Sequence, residues 1–188
     1  GPVTSSHVVL DVGAHHGWFF HCWLDWCPNA TVHAFEPTRE SMDVTRRLYG
    51  ADARVHLHEC AVGSTVGELN FNVLEGSQVS NSALPPKTSE WESIQYSTGA
   101  ISRRTVPVTT LDSFAAAHAL QQVYLMKIDV QGFELEVLRG AEKILERTDY
   151  VFVESGIRRL CGSGGLHAGT WFSLDPLAGV ASGEPGAC

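Results

Sequence analysis

The stretch Asp11-Val12-Gly13-Ala14-His15-His16-Gly17 closes an apolar run and opens an aromatic one. Glycines at such a junction allow a tight turn and close approach of a ligand, and a helix starting there offers unsatisfied N–H groups. Glu36-Pro37 follows roughly 20 residues later, and a carboxylate at that spacing is what grips a ribose hydroxyl pair in nucleotide-binding folds. A third group is Lys127-Ile128-Asp129-Val130-Gln131-Gly132, with Glu134 just beyond. Asp129 is a carboxylate able to accept a proton, and Lys127 lies two residues before it, on the same face of a strand.

The loop is not Gly-x-Gly-x-x-Gly. His15 stands where the middle glycine would give a pyrophosphate its close backbone approach, so a dinucleotide fits less well than a nucleoside ligand lacking pyrophosphate. S-adenosyl-L-methionine is such a ligand, with an adenosine, a sulfonium and an amino-acid end.

For these groups to meet, several strand ends must lie side by side. Residues 8–12 read as a short buried strand, 18–26 as a helix stopped by Pro28-Asn29, and 31–35 as a second strand. A helix over 39–49 ends at Gly50, and 55–58 form a third strand. Leu69, Phe71 and Val73 alternate with polar residues, as in a half-exposed antiparallel strand. Residues 75–103, polar and broken by Pro85-Pro86, read as a long loop or lid. A strand over 105–109 leads to a helix over 111–120 capped by Thr110. Then come a strand over 124–128, a helix over 133–145 and a strand over 150–153. This alternation predicts an α/β domain: a three-layer sandwich with a mainly parallel central sheet. The aromatic residues Trp18, Phe19, Phe20, Trp23 and Trp26 are expected to pack against that sheet.

The chain of 188 residues suffices for one domain with a sizeable core. Residues 1–7 read as an N-terminal extension or tag remnant, 8–154 as the domain, and 155–188 as a loose, poorly ordered tail, rich in glycine. A formal charge of −8, with arginines only in isolated pairs, argues against long nucleic acid as a partner. No apolar run is long enough for a membrane span. Five cysteines without C-x-x-C spacing read as free thiols of a reducing cytoplasm. No resident metal is expected. His16 and His21 are five apart, as are Cys22 and Cys27, which does not place them on one helix face. His56 and His58 share a strand face without an evident pair elsewhere. The oligomeric state is left open.

The segments DVGAHHG, AFEP, Cys60-Ala61-Val62-Gly63, Thr110-Leu111-Asp112 and MKIDVQGFELEVLRGAE occur in this order. Over residues 8–154 the chain resembles the FkbM-type family of S-adenosylmethionine-dependent methyltransferases. The resemblance implies a Rossmann-like, class I methyltransferase fold. It also implies methylation of a hydroxyl on a small molecule or glycan. By position, Asp11, Gly13 and Gly17 would line the methionine end of the cofactor, with Ala14 and His15 in the same loop. Glu36, beside Pro37, would hold the ribose, and Cys60 with Ala61 would flank the adenine. Ser80, within Gln78-Val79-Ser80-Asn81-Ser82, would lie over cofactor or substrate. Asp129 is the candidate base, or else orients the cofactor's amino group, with Lys127 as its neighbour; Gln131, Glu134 and Glu154 would face the acceptor.

Two departures stand out. The family usually has Asn where His15 stands, and it continues past the fifth strand with a helix and a final antiparallel strand pair. Residues 155–188 do not resemble that ending, so the last sheet edge is expected to be open. A SAM-binding module without turnover, and a nicotinamide-dependent oxidoreductase, are the competing functions.

Overall fold

The computed structural model describes residues 7–74, 101–154 and 169–173. In chain order the elements are β1 (Val8–Val12), α1 (Trp18–Trp26), β2 (Thr31–Phe35), α2 (Arg39–Tyr49), β3 (Val55–His58), β4 (Ala61–Val62) and β5 (Gly67–Leu74). They continue with β6 (Ile101–Thr109), α3 (Leu111–Ala117), β7 (Val123–Ile128), α4 (Glu134–Arg139), α5 (Glu142–Leu145), β8 (Thr148–Glu154) and β9 (Gly169–Ser173).

The central sheet has the order β3-β2-β1-β7-β8-β9. Its first five strands are parallel, and β9 runs antiparallel to β8. Successive residues of β1 point to opposite faces, and both faces are buried. Val9 packs with Phe20 and Leu24 of α1 and with Val32 and Ala34. Leu10 and Val12 pack on the other side with Leu111, Val137 and Ile144 from α3, α4 and α5. A parallel sheet covered twice explains why these strands read as continuous apolar runs rather than alternating ones. The expected Rossmann-like α/β sandwich is therefore the fold. Strand order reverses between β1 and β7, which creates the switch-point crevice where such sheets take ligands.

A second, small sheet has the order β4-β6-β5. Leu69, Phe71 and Val73 do lie in an antiparallel strand, paired to β6 from Gly67↔Val108 to Leu74↔Ile101. Strand β6 begins at Ile101, so residues 101–103 are strand and not loop. Phe71, Val106 and Ala61 form this sheet's own apolar cluster.

Other expectations need correction. In α1, Phe20 and Leu24, four apart, are buried against the sheet, and Phe19 and Trp23 pack partly buried beside them as expected. Trp18 and Trp26 point away from it and are 77% and 75% exposed, so they are not core. The helix expected over 111–120 ends at Ala117, and Ala119 takes a positive φ of 51°. The sheet edge expected to be open at β8 is covered by β9.

The helix expected over 133–145 is two helices, separated at Gly140. There the Asp112 N–H donates to the Gly140 carbonyl at 2.9 Å, while the Asp112 carboxylate accepts from the N–H groups of Lys143 and Ile144 at 3.1 and 2.9 Å. Asp112 thus caps α5 from another helix, a long-range bond that local periodicity does not encode. A side chain at Gly140 would place its Cβ 2.0 Å from the Gly63 carbonyl oxygen. Gly140→Ala should accordingly cost about 1–3 kcal/mol, the usual range for forced overpacking. In urea unfolding this would appear as a lower midpoint with an unchanged slope.

Candidate functional site

At the carboxyl ends of β1, β2 and β7 lies a cleft of about 170 Å³, open to solvent on one side. Of the residues singled out from sequence, Gly13, His15, Glu36, Pro37, Cys60, Ala61, Asp129 and Gln131 line it. Phe35, Phe71 and Phe133 supply much of the apolar wall. Sequence reasoning missed these three. Phe71 was legible only as one face of a half-exposed strand; nothing in the alternation told which body that face would meet.

The loop is built by its hydrogen bonds. The N–H groups of Gly13 and Ala14 both donate to the Phe35 carbonyl at 3.0 Å, tying the loop to the end of β2. Gly13 takes φ 78°, and a Cβ there would stand 1.8 Å from the Asp129 carbonyl oxygen. Glycine is thus required by both the left-handed backbone and the contact with β7. Two further residues of the cleft, His15 and Gln131, take φ of 50° and 53° without being glycine. Such strained positions gather at functional sites.

Glu36 is 7% exposed, and its carboxylate is fixed on both oxygens. Oε2 accepts the His15 N–H at 3.0 Å, and Oε1 accepts the Thr38 N–H at 2.9 Å and the Thr38 hydroxyl at 2.5 Å. Oε1 thus uses both of its lone pairs, and Oε2 keeps one free for a further donor. Thr45 Oγ1 donates to the His15 carbonyl at 2.8 Å, so α2 also holds the loop. The His15 Nε2 atom is buried in this wall without a partner. His15 and His16 stack at 3.8 Å. Burial and the His15 imidazole hold the His16 ring below the usual histidine range.

Asp129 follows β7, its N–H bonded to the Val12 carbonyl at 3.0 Å. Its Oδ1 accepts from Gln131 Nε2 at 2.9 Å, and its Oδ2 lies 3.6 Å from Lys127 Nζ. Lys127 is 5% exposed and does not line the cleft. Its ammonium donates to the Gly13 carbonyl at 2.6 Å and pairs with Asp11 Oδ1 at 3.1 Å. Burial opposes that charge, but the carboxylates of Asp11 and Asp129 outweigh it and push the lysine above its usual value.

The remaining candidates are placed elsewhere. Asp11 is fully buried under the loop, and Ala14 and Gly17 also stand outside the cleft lining, Gly17 as the N-cap of α1. Glu134 Oε1 accepts the Gly132 N–H at 2.9 Å, bracing the turn before α4. Glu154 ends β8 and contributes to the negative field around Lys127. Ser80 and the 78–82 segment lie outside the described residues. The Cys60 thiol is half-buried in the cleft wall, and burial pushes it up to about 11, so it is a packing group rather than a nucleophile. Among the described residues no helix is long and apolar enough to cross a membrane.

Fold and site together define a Rossmann-like α/β domain with its cleft at the switch point. The chain belongs to the methyltransferase FkbM domain family, which matches it over residues 11–159. It is 28% identical over 155 residues to 2-O-methyltransferase NoeI of Sinorhizobium fredii (strain NBRC 101917 / NGR234), covering 78% of this chain and 62% of that protein. It is 26% identical over 176 residues to Methyltransferase 1 of Beauveria bassiana (strain ARSEF 2860), covering 87% and 68%. It is 27% identical over 182 residues to Methyltransferase sdnD of Sordaria araneosa, covering 83% and 70%. The chain thus spans less than two thirds of the length of the first of these relatives.

Proposed function

We propose that this chain is an S-adenosyl-L-methionine-dependent O-methyltransferase whose acceptor is a hydroxyl on a small molecule or glycan. The observation that carries the reading is the Glu36 carboxylate. It is nearly buried, fixed by three donors, and set in the cleft wall at the end of β2, where a ribose hydroxyl can donate to the remaining lone pair of Oε2. The residues present fit the cofactor. Phe35, Ala61 and Phe71 offer apolar surface for a base, Glu36 a carboxylate for a sugar, and the unpartnered His15 Nε2 a further polar contact. When bound, the sulfonium supplies an electrophilic methyl group.

The chain's own residues would do the rest. The cleft walls align the reactants and exclude water, which is most of what an in-line displacement needs. Asp129, on the cleft surface beyond β7, would take the hydroxyl proton. Lys127, behind it, is a positioning residue: it holds Asp129 and the Gly13 carbonyl in one arrangement. The O-specificity is supported by the likeness to the S. fredii 2-O-methyltransferase.

Titration calorimetry with S-adenosylmethionine and its demethylated product S-adenosylhomocysteine should show binding to the wild type, and NAD should give no heat. Glu36→Gln should weaken binding of both by about 10- to 100-fold, the value of hydrogen bonds to a charged acceptor. Its circular dichroism spectrum should be unchanged. Absence of heat with both nucleosides in the wild type would overturn the reading.

A further inference from the structure

Beside the cleft lies a second cavity of about 200 Å³, between the paired strands β5 and β6 and the start of α2. Pro37, Phe71, Val106 and Pro107 form its apolar walls, and Glu59 and Arg104 are among its polar ones. Pro37 and Phe71 also line the cleft, so they stand between the two spaces. These dividers differ in kind. Pro37 directly follows Glu36, and its ring is locked to the backbone. Phe71 reaches over from β5, is 8% exposed, and packs with Ala61 and Val106. Its ring is the part of the wall that can turn between rotamers or be shortened.

The space behind Phe71 is held open from two directions. At one end β6 is paired to β4 through Ala61↔Val108 and Val62↔Thr109. Further along, Arg104 stands directly opposite Phe71, and residues opposite each other share a face of the sheet. The Arg104 guanidinium donates to the Glu40 carboxylate, in the first turn of α2, at 2.5 Å. A truncated side chain in surroundings so fixed leaves a void, because its neighbours relax only in part. Glu59 and Arg104 already have ionic partners in Arg46 and Glu40. An apolar group entering the cavity therefore leaves no charge newly unpaired.

We infer that Phe71 is a specificity-determining residue, the partition that limits the nucleobase site to unsubstituted adenine. Once the ring is shortened, the cavity behind it becomes an extension of that site for an apolar substituent on the base. The inference rests on the cofactor reading above, in which Glu36 holds the sugar and Phe35, Ala61 and Phe71 surround the base. With the sugar fixed at Glu36, a base against Ala61 meets the Phe71 ring as its boundary, and the second space begins on the other side of that ring. Apolar cavities of roughly 150 Å³ accept a benzene ring, so the substituent that suits this one is a benzyl group.

The test is titration calorimetry on the whole chain with three nucleosides. They are S-adenosylhomocysteine, its analogue with a benzyl group on the exocyclic amine of adenine, and its analogue with a benzylamino group on the five-membered ring. The wild type should hold the parent at least about tenfold tighter than one of the two analogues, the discrimination a filled apolar wall supplies. In Phe71→Leu and Phe71→Ala that analogue should gain at least about tenfold relative to the parent. Loss of packing alone would weaken all three nucleosides by the same factor, so the ratio is the diagnostic quantity. Phe71→Leu keeps an apolar side chain in the Ala61–Val106 cluster and serves where the alanine variant does not fold. Analogue-to-parent ratios that are the same in the wild type and Phe71→Leu would overturn the partition. So would wild-type binding of both analogues as tight as that of the parent. A wild type that fails to bind S-adenosylhomocysteine at all is a different result: it overturns the cofactor reading, and this inference with it, before any substitution is made.

Discussion

Lys127→Met is expected to remove about 3–5 kcal/mol of folding stability, the cost of breaking a buried ion pair by deleting one partner. Methionine matches the lysine stem in length and packing, so the loss would report the charge. Lys127 and Asp11 are 5% and 0% exposed, and their charged atoms are 3.1 Å apart. Burial pushes the Asp11 carboxyl above the usual carboxylate range, against the pull of Lys127. Without the ammonium, Asp11 must stay as a buried anion or take up a proton, and the Gly13 carbonyl loses its donor at 2.6 Å. The loop would then be less firmly fixed even in molecules that fold. Urea unfolding measures the effect, and the double variant Asp11→Leu/Lys127→Met supplies the control. With both gone no buried charge is left unpaired, so the double variant should be more stable than Lys127→Met alone. A double variant as unstable as the single one would show that packing, not charge, governs this position.

The same pair illustrates what the amino-acid order does and does not reveal. Alternating apolar runs and helix stops located the parallel strands closely, because in a twice-covered sheet each strand is specified by its own burial. Gly13, Glu36 and Asp129 were legible for a related reason: each sits at the carboxyl end of a strand, and such ends converge in this topology whatever the details. Asp11 looked equally like a ligand-facing carboxylate. Residues alternate across a strand, however, and its side chain falls on the face shared with Lys127, beneath the loop rather than in the cleft. The remaining surprises have one physical origin, contacts between distant segments. The break at Gly140 depends on Gly63 and Asp112, the wall at Phe71 on a second sheet, and the ring contacts of His33, His58 and His118 on β2, β3 and the end of α3 meeting. Trp18 and Trp26 differ in kind. Hydrophobicity alone suggested core, whereas helical phase placed them outside it.

Asp129→Asn should lower turnover by about 10²–10⁴-fold, the contribution of a positioned general base, while S-adenosylhomocysteine affinity stays within about threefold. Asparagine keeps the shape and can still accept from Gln131, but it cannot take a proton from a hydroxyl. The carboxylate is well placed for that work. It lines the cleft across from Glu36, its backbone is pinned to β1 through the Val12 carbonyl, and Lys127 and Gln131 fix its two oxygens at 3.6 and 2.9 Å. A rigid base at the mouth of a strand loses little orientational freedom when the acceptor arrives. The measurement is release of S-adenosylhomocysteine with a panel of hydroxyl-bearing small molecules and glycans, alongside calorimetry on the same variant. Two different failures separate the roles this residue could have. If Asp129 instead orients the cofactor's amino group, affinity falls and turnover at saturating cofactor is largely kept. If it is only a turn residue before α4, neither quantity moves. A selective loss of turnover is the outcome that assigns proton removal to Asp129, because only a group acting on the reacting atoms alters the rate while leaving the bound ground state unchanged.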